Sequence, residues 1–136
     1  MKRIAIACLL FLPSLAFAQQ ACWTEWDYKD QKVVRAGQCS ENVSIKDFER
    51  GFCKITVDGD VLRTAKTCPS TAKSRVGTEV ATQPIVARCL NIKPPMSGGA
   101  ANIFYYGGQS YTESKDSLKG MCLALEGQWI EGAAKK

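Results

Sequence analysis

Apolar and polar positions divide the chain into short extended segments and two helical stretches. Aromatic residues crowd the segment Cys22-Trp-Thr-Glu-Trp-Asp-Tyr28, which predicts a strand, and Lys32 to Cys39 reads as its return after a turn at Lys29–Lys32. With Asp30 and Gln31 as the loop residues, Cys22 falls opposite Cys39, Trp26 opposite Arg35 and Tyr28 opposite Val33. Ser44 precedes Asp47 by three residues and Phe48 and Gly51 follow, the signature of a capped helix of one or two turns. Lys54–Val57 and Asp60–Arg63 flank Asp58-Gly59, a favoured hairpin turn.

Further along, Pro69 to Thr78 is rich in Ser, Thr and Lys without apolar periodicity, and reads as a loop. Ile85 to Ile92 is β-branched and apolar, and predicts a central strand. Pro94-Pro95 and Gly98-Gly99 mark a second loop. Ile103–Tyr106, Gly107-Gly108 and Gln109–Thr112 predict another hairpin. Leu118, Met121, Cys122 and Leu125 fall at helical spacing behind Ser114 as cap, with Gly127 as the stop. Gly120 lies opposite that stripe. Trp129-Ile130 predicts a short last strand. The expected fold class is α+β: a small antiparallel sheet of hairpins with one C-terminal helix packed on it and three disulfides.

The start of the chain changes where this fold is expected to live. Lys2 and Arg3, the apolar run Ile4–Leu15 and Ala16-Phe17-Ala18 have the three parts of a secretory signal peptide. The run is shorter than the roughly 20 residues that span a bilayer. Residues 1–18 are therefore read as a cleaved signal, and 19–136 as a single disulfide-stabilised domain with no later membrane span. The form of the signal is bacterial, so the expected location is periplasmic or secreted. In that setting the Asn42-Val43-Ser44 sequon has no glycosylation role.

Of the seven cysteines, Cys8 falls in the signal, leaving Cys22, Cys39, Cys53, Cys68, Cys89 and Cys122. An even count in an exported chain predicts a disulfide framework. No C-x-x-C pair occurs, which excludes a thioredoxin-like motif and a zinc ribbon. The expected map is Cys22–Cys39, Cys53–Cys68 and Cys89–Cys122. Its main rival links Cys39 to Cys53 and Cys22 to Cys68.

Charge and chemistry narrow the function. Without Lys2 and Arg3, 16 basic and 13 acidic residues leave a net +3, which demands neither nucleic acid nor an anionic membrane. The basic residues Arg63, Lys66, Lys73 and Arg75 form a run with no acidic residue between Val61 and Thr78. Such a run suits an acidic partner or lipopolysaccharide phosphates, and also a plain solvated face. There is no histidine, which removes histidine triads, ligands and proton shuttles. Ser70 and Lys73 have the S-x-x-K spacing without the other elements of a penicillin-recognising enzyme.

The sequence therefore predicts no enzyme, no cofactor and no metal site. It predicts an exported macromolecule-binding module, such as an inhibitor, an immunity protein or an envelope accessory subunit, whose partner is a protein or envelope component. The alternative is a structural subunit of a surface appendage or exported particle. Trp23, Trp26 and Tyr28, with Tyr105, Tyr106 and Tyr111, are the candidate binding residues, because Tyr and Trp dominate interface hot spots. Trp23/Trp26 and Tyr105/Tyr106 point to opposite faces of their strands, so one of each pair is expected to be exposed or covered by a loop.

Overall fold

A computed structural model of the chain describes residues 20–28, 31–35, 37–55 and 57–132. The expected signal peptide, the turn residues Lys29 and Asp30 and the end of the C-terminal tail lie outside them. Among the described residues there are eight strands and two helices: β1 (Ala21–Tyr28), β2 (Gln31–Arg35), β3 (Gln38–Asn42), α1 (Phe48–Phe52), β4 (Val61–Ala65), β5 (Thr71–Val76), β6 (Glu79–Ile92), β7 (Ala101–Tyr106), α2 (Gln109–Ala124) and β8 (Gln128–Glu131).

All strand pairs are antiparallel. β1 carries β4 on one edge and β2 followed by β3 on the other. β7 pairs β3 and β6, and the second half of β6 is flanked by β7 and β8. The first half of β6 forms a separate hairpin with β5 across Gly77-Thr78, where Gly77 supplies φ +64°. The small antiparallel sheet, the long C-terminal helix and the three disulfides are as expected. The sheet is larger than expected and is not a row of hairpins.

Three local expectations are corrected. Asp58-Gly59 does turn the chain, with Asp60 N–H donating to the Val57 carbonyl at 3.2 Å. The segment after the turn, however, bonds to the free edge of β1 as β4 instead of folding back on Lys54–Val57. Cys53 is held at the end of α1 by its bond to Cys22, so its segment is not available as a hairpin partner. The expected loop 69–78 holds β5, whose buried positions are Ala72 and Ser74. Small and polar residues on the inner face erased the apolar alternation that marks a strand. Gln109–Thr112 is not a strand but the first turn of α2, and the Thr112 N–H and hydroxyl both donate to the Gly108 carbonyl.

The two helices also differ in detail. Ser44 does not cap α1; its hydroxyl accepts from the Ala100 N–H at 2.9 Å. In α2, Tyr111, Leu118, Cys122 and Leu125 form the packed stripe, whereas Met121 is exposed. The left-handed residue at its end is Glu126, φ +59°, one place before Gly127.

Both faces of the sheet carry packed residues, the second face only in part. On one, Cys22, Phe48, Cys89, Ile92, Tyr105 and Cys122 are buried beneath α1 and α2. On the other, Ala21, Cys39, Ala72 and Tyr106 form a smaller core. The disulfides are Cys22–Cys53, Cys39–Cys68 and Cys89–Cys122. The strand–helix staple Cys89–Cys122 matches expectation; the other two pairings match neither expected map. The cause is register: Cys22 sits opposite Ser40, not Cys39, and Trp26 opposite Val34. A slip of one residue turns Cys39 to the other face of the sheet, out of reach of Cys22.

Candidate binding surfaces

The aromatic candidates divide between core and surface. Tyr105 and Tyr106 are 4% and 1% exposed, one in each core, so of the two expected arrangements, exposed or covered, neither member is exposed. Both faces of β7 are covered at this point. The Tyr105 ring packs against Trp129 with centroids 5.6 Å apart, and burial pushes its phenol up to about 12. The Tyr106 hydroxyl donates to the Pro69 carbonyl at 2.6 Å. Tyr111 is half-buried against the larger core beside a recess shared with Gly37, Ser110 and Leu118. Trp23 packs on the smaller core and donates from Nε1 to Glu25 Oε1 at 3.0 Å. Trp26 is half-buried on the opposite face of β1, and the Tyr28 side chain lies outside the described residues.

The basic run is partly tied down. Arg63 lies opposite Trp23 across β1 and β4, and its Nε meets Glu25 Oε2 at 3.1 Å. Arg75 donates from Nε and Nη2 to Gln109 Oε1, at 2.8 and 2.6 Å. Lys66 and Lys73 are exposed. Among the described residues no group of His, Cys, Asp or Glu has the composition of a metal site, and no helix is long and apolar enough to cross a membrane.

Two surfaces stand out that these candidates did not define. The first is the sheet face turned away from α2, over β6, β7 and β8. Arg88 lies directly opposite Phe104 on one side and Ile130 on the other, and all three share that face with Leu90. All four are half-buried, and Leu90, Phe104 and Ile130 belong to neither core. Arg88 Nε is buried without a hydrogen-bond partner among the described residues. A guanidinium nitrogen left without an acceptor among apolar side chains is unusual and singles this position out. Its visible signal was an arginine in the middle of the most apolar strand.

The second surface is a groove of 500 Å³ between α1 and the turn Pro94–Ser97, lined by Ile45, Phe52, Pro94, Met96 and the cations Lys46, Arg50 and Lys54. Asn42 closes the loop below it, accepting from Ile45 N–H at 2.8 Å and donating to the Ile45 carbonyl at 3.0 Å. Gly99 packs so closely on this loop that a Cβ there would sit 2.8 Å from Ile45 N. Phe48 and Phe52 stack with centroids 5.0 Å apart, fixing the helix side of the groove. Ser97 N–H and Oγ both bond the Pro94 carbonyl, at 3.2 and 2.8 Å, fixing the other side. The cations recur every four residues in the sequence, a signal that was legible; the opposing turn was not.

Comparison with protein families, with curated proteins and with solved structures returns no match.

Proposed function

We propose that this protein is an exported, non-enzymatic module, periplasmic or secreted, that binds another macromolecule through the open face of its disulfide-locked sheet. Inhibitors, immunity proteins and envelope accessory subunits are the classes that fit. The observation that carries this reading is Arg88, whose buried Nε, between Phe104 and Ile130, lacks a partner among the described residues. An apolar partner surface bearing a carboxylate would cover the face and, with a shift of the Arg88 side chain that uncovers Nε, satisfy the guanidinium. The three disulfides suit an oxidising compartment outside the cytoplasm and keep the face rigid.

The test begins with capture from a bacterial envelope fraction on the immobilised, oxidised domain, followed by reconstitution with the purified partner. Arg88→Met and Phe104→Ala are each expected to weaken that complex by about 2 kcal/mol or more with little change in melting temperature. A domain that instead assembles with itself in sedimentation experiments would be a structural subunit, and the reading would be abandoned.

A further inference from the structure

Met96 occupies a backbone position that disfavours it. The turn Pro94-Pro95-Met96-Ser97 has proline second and a residue at φ +62° third, the pattern that calls for glycine or asparagine at that third place. The Met96 side chain is fully exposed and packs on nothing that would offset the strain. Strain kept without a packing return belongs with function. The strained turn also aims Met96 at the lip of the groove opposite Lys46, Arg50 and Lys54.

The groove has a consistent chemistry. Its floor is apolar, with Ile45 buried and Phe52 and Pro94 half-buried, and its rim carries three exposed cations against the single carboxylate of Asp47. None of the three cations is in an ion pair among the described residues. The nearby Glu49 accepts from Gln20 Nε2 and lines a neighbouring recess instead. We propose that this groove docks a short acidic segment of a protein partner. One apolar side chain of that segment would seat between Phe52 and Met96, with its carboxylates on Lys46, Arg50 and Lys54. A volume of 500 Å³ takes a few side chains of such a segment. A bilayer fits less well, because Ile45, Phe52 and Pro94 lie recessed, leaving Pro95 and Met96 as the exposed apolar side chains of the lining. This assignment is separate from the sheet-face reading and stands or falls without it.

Fluorescence anisotropy tests it with a labelled peptide of leucines flanked by glutamates, its glutamine counterpart, and sedimentation with phosphatidylglycerol–phosphatidylcholine vesicles. The glutamate peptide is expected to bind, more weakly as salt rises, and the glutamine peptide to bind at least about tenfold more weakly. Met96→Gly should lower peptide affinity about tenfold while the melting temperature holds or rises, since glycine relieves the turn. Lys46→Glu combined with Arg50→Glu should abolish binding, and Arg88→Met should leave it unchanged. Equal binding of both peptides, no peptide binding, or binding to vesicles alone would overturn the proposal. So would a Met96→Gly protein that binds normally or melts lower.

Discussion

Gly120 is the one interior glycine of α2, and a Cβ built on it would meet no atom within 4 Å. Replacing it with alanine is expected to stabilise the protein by about 0.5–1 kcal/mol through helix propensity alone, read as a higher urea midpoint with unchanged slope. Gly127 is the opposite case. A Cβ there would lie 2.7 Å from both Cys89 Sγ and Ile92 Cγ2, so Gly127→Ala should destabilise by about 1–3 kcal/mol. Tyr105 supplies a pH test. Its phenol is raised by burial to about 12, so the folded state holds the proton more tightly than the unfolded chain does. The stability it contributes is complete below pH ~10 and is lost as pH rises toward ~12. Denaturation midpoints should fall across that window, and Tyr105→Phe should flatten part of the decline.

At the scale of elements, the Cys89–Cys122 bond closes a loop with a sequence separation of 33 and ties β6 to α2. Its removal by paired Cys→Ala substitution is expected to cost about 4 kcal/mol on the chain-entropy model, and amide exchange should rise first in α2. This staple was legible because Cys89 lies in the most apolar strand and Cys122 on the apolar stripe of a helix. The other two bonds were not, because they depend on whether Cys22 faces Cys39 or Ser40, and Asp-Gln at the turn does not fix that register. β5 was hidden by its small inner residues Ala72 and Ser74. The origin of α2 was hidden because Tyr111 stands seven residues before Leu118 with polar residues between. Of the candidate surfaces, the cations 46, 50 and 54 and the arginine within β6 were visible as sequence patterns. Met96 was not, since its positive φ depends on the type of turn that Pro94–Ser97 forms.

For the whole molecule, the proposal of export predicts a mature protein beginning at Gln19, checked by intact mass of the exported form. Peptide mapping without reduction should recover Cys22 joined to Cys53 and Cys39 joined to Cys68; a fragment joining Cys22 to Cys39 would contradict the observed register. Those two bonds interleave along the chain, each enclosing one end of the other. A polypeptide delivered amino-terminus first into an oxidising space presents Cys22 and Cys39 as its earliest pair of thiols, and they do not belong together. Bonds formed in order of arrival must therefore be broken and exchanged by thiolate attack, a process of seconds to hours without an isomerase. Maturation should thus lag in cells lacking disulfide isomerase. A Cys22→Ser/Cys53→Ser protein, less stable but left with only consecutive pairs, should escape that lag.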